Sequence, residues 1–322
     1  MTKILILGGG GMIGQKLARR ISENDIFPGA DLTLFDVAFP PNGVPAKCVT
    51  GNVADPETAR NLASMRPDVI FHLAAIVSGQ AEAEFDLGWD VNMMSMWHLL
   101  TALQGEHVAS DQTYRPRVVF TSSIAVFGGP YPDKIDDEFL SAPQTSYGAQ
   151  KAACELMVSD FCRKGFIDGL SLRLPTICVR PGKANAAASS FFSGIIREPL
   201  NGVEAILPVA DTVRHWHASP RAAARFLTHA ATLDTEVLEG RRALNLPGFS
   251  CTVAEQIEAL RRAAGQNAVD LIKPQPDETI TKIVQGWPRN FDPKRAIALG
   301  FVAEQSFDEI IEVYMQDDLN RN

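Results

Sequence analysis

A glycine-rich turn near the start of the sequence constrains the fold more than any other feature. The segment Gly8-Gly-Gly-Gly11-Met-Ile-Gly14 joins the apolar run 3–7 to the helical pattern 15–20. This order predicts a buried parallel strand, a tight turn and the first turn of a helix. Gly8 permits the sharp turn, Gly11 lets the backbone approach a pyrophosphate, and Gly14 lets the helix pack closely on the strand. The helix N-terminus would then bind the phosphates of a dinucleotide.

Composition and charge exclude several classes of protein. The chain has 322 residues, of which 21% are charged and 46% hydrophobic, enough for one large or two smaller globular domains. Its net charge of −8 disfavours nucleic acids and anionic membranes as main partners, because both select basic surfaces.

The lack of a targeting or membrane segment and the scattered cysteines predict a cytoplasmic protein. No apolar run approaches the ~20 residues that span a bilayer, and no basic and apolar leader precedes the first strand. The five cysteines are scattered without a CxxC pair, which predicts neither a disulfide framework nor a zinc site. His215 and His217 have no cysteine or acidic cluster beside them, so no metal site is expected. His72, inside the apolar run 68–75, is interpreted as a core histidine.

An acidic residue ends the second predicted strand, Leu32-Thr-Leu-Phe-Asp36, about 20 residues after the third glycine. A carboxylate at this offset can accept hydrogen bonds from both hydroxyls of the adenosine ribose, and it would repel a 2′-phosphate. No arginine follows to hold such a phosphate, so NAD is favoured over NADP. The alternative interpretation of Asp36 is a helix cap or a turn residue.

Strand and helix patterns alternate over the first 175 residues, which predicts an α/β protein with a Rossmann-type, doubly wound parallel sheet. Later sequence is more irregular. We expect residues 1–175 and about 218–246 to form a dinucleotide-binding domain. Residues 176–217 and 247–322 are expected to form a smaller substrate-binding lobe.

A tyrosine and a lysine four residues apart, Tyr147 and Lys151, would lie on one face of one helix. The pKa of a tyrosine is too high for a base at neutral pH, and a neighbouring ammonium lowers it by stabilising the phenolate. Ser123 ends a predicted strand, and ligands bind at the carboxyl ends of parallel strands. In this order along the chain, the three residues predict an acid/base site.

Together these motifs resemble the extended short-chain dehydrogenase/reductase family over nearly the whole chain. The resemblance makes Tyr147 the general acid/base, Lys151 the residue that tunes it and holds the nicotinamide ribose, and Ser123 the residue that orients the reacting oxygen. It also implies a set of residues around the NAD cofactor. They are Gly8, Gly11, Met12, Ile13, Gly14, Asp36, Asn52, Val53, Leu73, Ala74, Ala75, Asn92, Tyr147, Lys151 and Pro175.

Two positions depart from the family pattern. Asn52 stands where an aspartate usually contacts the adenine, and an amide can still form a hydrogen bond there. Thr176 follows Arg173 where the nucleotide-sugar epimerases of the family have an asparagine that helps to hold the sugar diphosphate. This second departure weakens the nucleotide-sugar interpretation.

The later segments resemble a branch of the family that oxidises the C2 hydroxyl of D-erythronate with NAD. These segments are 180–185, 189–200, 213–217 and 285–288. A small anion needs a cationic partner, and arginine can bind a carboxylate with two hydrogen bonds. The residues expected around the substrate are Ser78, Ser123, Tyr147, Thr176, Arg180, Asn185, Ser190, Arg197 and Arg214.

The expected function is therefore NAD-dependent oxidation of D-erythronate to the 2-oxo-tetronate by a Ser-Tyr-Lys mechanism. One alternative is a nucleotide-sugar 4-epimerase or dehydratase that keeps NAD tightly bound. A second alternative is a non-catalytic NAD-binding regulator. Family likeness further implies a homodimer formed through the long helices predicted over 85–103 and 147–164.

Overall fold

The computed structural model describes residues 1–24, 26–182 and 188–319, in which strands and helices alternate as the sequence predicts. The strands are, in chain order, β1 Lys3–Leu7, β2 Asp31–Asp36, β3 Lys47–Thr50, β4 Val69–His72, β5 Arg117–Ser123, β6 Asp168–Leu174, β7 Thr176–Ile177, β8 Ala205–Leu207, β9 Arg214–Ala218, β10 Ala243–Asn245, β11 Phe249–Thr252 and β12 Ile272–Pro274.

Helices connect most of these strands, and a π-helical turn over Asp90–Met94 joins two of the helices end to end. None of the helices in the described residues is long and apolar enough to cross a bilayer. The helices are, in chain order, α1 Met12–Glu23, α2 Pro56–Ser64, α3 Ser78–Ala83, α4 Phe85–Trp89, α5 Ser95–Ala109, α6 Ser146–Arg163, α7 Ser190–Leu200, α8 Pro220–Thr232, α9 Val253–Ala264, α10 Gln266–Val269, α11 Glu278–Gln285, α12 Lys294–Ala298 and α13 Phe307–Asp317.

Seven strands form one sheet in the order β10-β6-β5-β4-β1-β2-β3. Strand β1 pairs in parallel with β2 on one side and with β4 on the other, so the direction of winding reverses between β1 and β4. Strands of such a sheet are covered by helices on both faces, which explains the continuous apolar run Ile4–Leu7. The predicted Rossmann-type fold is confirmed.

The described chain divides into two compact units. The first consists of Met1–Val126, Pro143–Arg173 and Ala224–Leu244, and the second of Phe127–Ala142, Leu174–Ala223 and the chain from Asn245 onward. The units differ from the expected domains at residues 127–142, 174–175, 218–223 and 245–246, which were expected in the dinucleotide-binding domain and lie in the second unit.

Residues 127–142 belong to the second unit because their contacts are with its later segments. Ile135 forms a β-bridge with Phe291, and its N–H donates to the main-chain oxygen of Asn290 at 3.0 Å. The Asn245 amide donates to the main-chain oxygen of Asp136 at 3.0 Å. These bonds join residues more than 100 positions apart. The Pro/Asp-rich loop formed by residues 127–142 has no hydrophobic period from which such contacts could be predicted.

In the second unit, strand β9 pairs in an antiparallel manner with β11 and in parallel with β7, while β8 and β12 form a separate parallel pair. Apolar side chains of α7, α9 and α13 pack together beside these strands. Fully buried members of this core include Phe192, Ile195, Ile196, Val253, Ala259, Leu260, Ile310 and Ile311.

The close approach of helix α6 to the chain segment that follows β5 is a feature of the first unit. The Thr145 hydroxyl caps α6 by accepting a hydrogen bond from the Gly148 N–H at 3.1 Å. A Cβ atom added to Gly148 would lie 2.2 Å from the main-chain oxygen of Ala125. Only glycine permits this approach, which brings the start of α6 against the residues just beyond β5.

Replacing Gly148 with alanine should therefore destabilise the protein, although alanine is the better helix former. We expect Gly148→Ala to lower the free energy of unfolding by about 1–3 kcal/mol, because the added methyl group forces α6 away from Ala125. Equilibrium unfolding in urea measures this change.

The matched control is Gly105→Ala in the interior of α5, where an added Cβ would meet no atom within 4 Å. That variant should gain about 0.5–1 kcal/mol, because alanine loses less backbone entropy on folding. Equal stability of the two variants would contradict the close approach at Gly148.

Candidate active site

The glycine turn between β1 and α1 is the candidate phosphate site. Gly8 has a φ of +85°, and a Cβ there would lie 2.7 Å from the main-chain nitrogen of Ala74. A Cβ on Gly14 would lie 2.2 Å from the main-chain oxygen of Gly8. Gly11 differs, since its Cβ would meet only the Gly8 oxygen at 3.4 Å. Backbone packing thus requires glycine at positions 8 and 14, whereas at Gly11 the folded chain leaves room.

Helix α1 begins at this turn without a side-chain cap, because its N-cap residue is Gly11. The first N–H groups of a helix have no partner within the helix, and the helix dipole is positive at this end. A pyrophosphate fits both conditions, and the room at Gly11 allows it to approach the backbone. The residues present therefore fit a dinucleotide, with Met12 and Ile13 in the first helical turn.

Asp36, the last residue of β2, has its carboxylate fixed beside the glycine turn. One oxygen accepts the Gly10 N–H at 2.9 Å and the other accepts the Val37 N–H at 2.7 Å. Each carboxylate oxygen has a further lone pair, so the pair of ribose hydroxyls can still bind. The next side chain, Val37, is 67% exposed and carries no charge.

Two asparagines that were predicted to contact the cofactor, Asn52 and Asn92, form hydrogen bonds within the first unit. Asn52 accepts the Ala54 N–H at 3.0 Å, which shapes the turn after β3. Asn92 is 1% exposed, accepts the Ile76 N–H at 2.8 Å and donates to the Gln150 amide oxygen at 2.8 Å. It therefore joins the loop after β4 to helix α6.

The remaining predicted cofactor residues lie at the ends of strands. Leu73 continues β4, with its N–H donating to the Leu7 oxygen at 2.9 Å, and Ala74 and Ala75 follow it. Val53 packs partly buried against the core of the first unit. Pro175 lies between β6 and β7.

Lys151 is the buried charge at the centre of the candidate site. Its side chain is 1% exposed, and its ammonium donates to the main-chain oxygen of Thr121 at 2.8 Å. The Nζ atom lies 4.7 Å from the Phe120 ring centroid and 5.6 Å from that of Tyr147. Burial lowers the pKa of Lys151 to about 8, against the opposite effect of Cys154 and Glu155. An ammonium so close to the Tyr147 ring stabilises a phenolate electrostatically.

Ser123 ends β5 with its hydroxyl already oriented. Its Oγ accepts the Ala125 N–H at 3.1 Å. That bond occupies a lone pair of the oxygen and leaves the hydroxyl proton to donate to another group. Ser123, Tyr147 and Lys151 all belong to the first unit, and the end of β5 with the first two turns of α6 positions them.

An ion pair that the sequence analysis missed supports this arrangement. Glu155, 6% exposed, accepts hydrogen bonds from Arg173 on β6, at 2.9 Å from Nε and 2.7 Å from Nη2. The same carboxylate accepts the Ser122 hydroxyl at 2.5 Å. It therefore ties helix α6 to the strand end between Thr121 and Ser123. The sequence contains one signal for Glu155. It lies four residues after Lys151, so both side chains are on one face of helix α6.

The predicted substrate residues are distributed over both units. Ser78 is the first residue of α3 in the first unit, partly buried. In the second unit, Thr176 contacts His215, with 2.6 Å between Oγ1 and Nε2. Ser190 is the first residue of α7 and is partly buried. Asn185 lies outside the described residues.

The three predicted arginines differ in their partners. Arg180 donates to the Ser189 hydroxyl at 3.1 Å. Arg197 is 5% exposed and donates to the main-chain oxygen of Arg180 at 2.8 Å and to Glu198 at 2.5 Å. Arg214 donates to the main-chain oxygen of Ser250 and to Glu255, each at 3.0 Å. The buried contacts of Arg197 hold the backbone at Arg180 in place.

Comparisons with known proteins identify the family and similar chains. The model of the NAD dependent epimerase/dehydratase family matches residues 4–217. A D-erythronate dehydrogenase of Cupriavidus necator is 47% identical over 98% of both chains, and one of Haemophilus influenzae is 40% identical over 98% of this chain and all of its own. A solved structure described as a nucleoside-diphosphate-sugar epimerase from Agrobacterium tumefaciens is 51% identical, with a TM-score of 0.94 over 100% of this chain and 95% of its own.

The room at Gly11 gives a direct test of the phosphate site. We expect Gly11→Ala to fold normally, because its φ of −72° and the 3.4 Å contact both suit alanine. Its affinity for NAD should fall by about 10- to 100-fold, since a methyl group forced into a filled contact costs about 1–3 kcal/mol. Isothermal titration with NAD measures this change.

The matched variant is Gly14→Ala, in which the added Cβ meets backbone rather than cofactor. It should lose stability in urea. Normal NAD affinity in a folded Gly11→Ala protein would contradict the assignment.

Proposed function

The chain belongs to the NAD dependent epimerase/dehydratase family, and from this premise we propose that it oxidises the C2 hydroxyl of D-erythronate to the 2-oxo acid. It is an oxidoreductase whose cofactor is NAD. The substrate proposal is supported by the two D-erythronate dehydrogenases that are similar to the chain over nearly its full length.

The observation that carries the proposed chemistry is the buried ammonium of Lys151 beside the Tyr147 ring. In the direction of oxidation, the Tyr147 phenolate oxygen accepts the proton of the C2 hydroxyl, and the Lys151 charge stabilises that phenolate beforehand. The Ser123 hydroxyl donates a hydrogen bond to the same substrate oxygen and so orients it. NAD held by the glycine turn and Asp36 would supply the acceptor for the hydride of C2. The products are the 2-oxo acid, NADH and a proton that passes from Tyr147 to solvent.

The substrate carboxylate requires a cation, and Arg180, Arg197 and Arg214 are the arginines that we propose for it. The free-energy cost of breaking their present contacts to bind a substrate carboxylate differs. Arg214 pairs with Glu255 at the surface, where such a pair contributes little and can be exchanged. Arg197 would have to abandon a buried carbonyl and a carboxylate, which costs more. We therefore expect Arg197→Lys to impair folding more than Arg180→Lys or Arg214→Lys.

A second function, nucleotide-sugar epimerisation, is favoured by the description of the 51% identical Agrobacterium structure. An epimerase regenerates its NAD within each turnover and releases no NADH. Thr176 in place of the asparagine of such epimerases argues against it. An assay of the purified protein distinguishes the two functions. The protein is given NAD together with tetronates, pentonates, L-threonine or UDP-sugars, and NADH formation and sugar conversion are measured. NADH formation with D-erythronate supports the dehydrogenase, whereas conversion of a UDP-sugar without net NADH would replace it.

We propose a homodimer as the assembly, acting in the cytoplasm in carbohydrate metabolism. Helix α5 exposes 43% of Trp97, and α6 exposes 73% of Leu156. Apolar side chains at these positions suit burial in a helical interface. Light scattering of the purified protein measures the mass of the assembly.

Tyr147→Phe tests the proposed acid/base. Removing the phenol oxygen should lower NADH formation from D-erythronate by about 10²–10⁴-fold, the usual contribution of a general base. The rate is measured by NADH absorbance, and NAD affinity, measured by titration, should stay within the range of the unmodified protein.

The matched control is Tyr114→Phe, which removes another phenol oxygen of the first unit. The Tyr114 hydroxyl donates to the main-chain oxygen of Pro67 at 2.8 Å, and this contact is structural. That variant should lose about 1 kcal/mol of stability and keep its turnover. Near-normal turnover of Tyr147→Phe would show that another group is the base.

A further inference from the structure

A hydrogen bond links the hydroxyl of Thr176, a partly exposed residue, to the buried imidazole of His215. Thr176 begins β7, two residues beyond the end of β6, and β7 pairs in parallel with β9, which carries His215. His215 is 2% exposed. Its Nε2 lies 2.6 Å from the Thr176 hydroxyl oxygen. The carboxyl ends of strands in such folds are where ligands bind, so the polarity of this hydroxyl matters.

The surroundings of His215 fix which of its nitrogens carries the proton. Nδ1 lies 3.1 Å from the main-chain oxygen of Pro288, and a carbonyl oxygen can only accept. Nδ1 therefore bears the hydrogen. Burial lowers the pKa of His215 to about 4, so the ring is neutral at physiological pH. In a neutral ring with a protonated Nδ1, Nε2 is a bare acceptor.

Aromatic contacts keep the imidazole from rotating away. The ring stacks on Phe192 with 5.1 Å between centroids and 2° between planes, and the Trp287 ring lies 5.2 Å away on a tilted plane. His215 thus presents the same nitrogen to Thr176 in a fixed direction.

The consequence falls on the Thr176 hydroxyl. Its single proton is donated to His215, and in the part of the chain that the structure describes this hydroxyl has no second hydrogen-bond partner. A threonine hydroxyl normally rotates to donate or accept as required. Here only the lone pairs of the oxygen remain, so the group can accept a hydrogen bond but cannot donate one.

We propose that Thr176 determines specificity by accepting a hydrogen bond from a substrate hydroxyl, and that His215 is the positioning residue that fixes this polarity. The inference rests on the proposed function, since it concerns the C3 or C4 hydroxyl of the sugar acid. A carboxylate, carbonyl or fluorine at the same place meets only lone pairs and is rejected. The substrate carboxylate must therefore bind elsewhere.

Deoxy and deoxyfluoro analogues of D-erythronate, altered at C3 or C4, test the proposal with the holoenzyme. A deoxy analogue loses the donor, and a fluorine also brings a partial negative charge against the Thr176 oxygen. For the position that Thr176 contacts, we expect the deoxy analogue to lose about tenfold in kcat/KM, the size of one hydrogen bond. The fluorinated analogue should be poorer still.

Variants of the two residues identify the source of this selectivity. Thr176→Val keeps the shape and removes the hydroxyl, so D-erythronate and the deoxy analogue should become equal in kcat/KM. Thr176→Ser restores the hydroxyl and should restore the difference. In His215→Phe the ring still packs between Phe192 and Trp287, but Thr176 regains the freedom to donate. The penalty of the fluorinated analogue relative to the deoxy analogue should then disappear.

His217→Phe is the matched control, because His217 lies on the same strand and its imidazole is hydrogen-bonded to the Gln256 amide rather than to the Thr176 hydroxyl. Loosening of the second unit in general would change the analogue ratios of both histidine variants, whereas the proposal requires a change only in His215→Phe. NAD affinity and thermal unfolding report whether each variant is folded.

Nitrogen NMR of the protein with labelled histidine gives an independent decision, because it reads the His215 tautomer without any substrate. A proton on Nδ1 supports the proposal, and a proton on Nε2 overturns it. Equal discrimination between D-erythronate and its deoxy analogues by the unmodified protein and Thr176→Val would also overturn it. Failure of the unmodified protein to oxidise any sugar acid would instead reject the proposed function, while the tautomer would still decide the polarity.

Discussion

The need of a buried ammonium group for a hydrogen-bond acceptor organises the first unit of this protein. Lys151 is almost completely buried, and transferring an unpaired charge out of water costs many kcal/mol. The main-chain oxygen of Thr121 and the faces of two aromatic rings supply the compensation. Helix α6 must therefore approach the end of β5 within hydrogen-bonding distance. The absence of a side chain at Gly148 makes that approach possible.

A second buried charge strengthens the same junction. The Glu155 carboxylate accepts hydrogen bonds from both Arg173 and Ser122, so helix α6, strand β6 and the end of β5 are joined by one polar group. The Arg173 charge neutralises Glu155. The Glu155 carboxylate therefore lies near Lys151 without being the main partner of the Lys151 ammonium. Removal of either member would leave the other buried and unpaired, which is the costly way to break such a pair.

Hydroxyl groups in this protein acquire a fixed polarity from their neighbours. The Ala125 N–H occupies a lone pair of Ser123, so that hydroxyl is free to donate, and the bare nitrogen of His215 takes the proton of Thr176, so that hydroxyl is left to accept. Neither residue type has an intrinsic preference. The proposed polyhydroxylated substrate would be selected by such fixed polarity, because each of its groups is then matched by only one kind of partner.

Local patterns in the sequence were sufficient to predict the parallel sheet, the glycine turn, the strand that ends at Asp36 and the placement of Tyr147 and Lys151 on one helix, because each depends on the spacing of residues within one or two elements. The Rossmann-type fold, the family and the NAD cofactor are confirmed. Contacts between distant segments have no such period, and only the tertiary structure decided them. It placed residues 127–142 in the second unit, paired Glu155 with Arg173, and used Arg197 to hold the backbone at Arg180. It also set His215 against Thr176, 39 positions away, because side-chain polarity follows from which atoms meet and not from which residues are present.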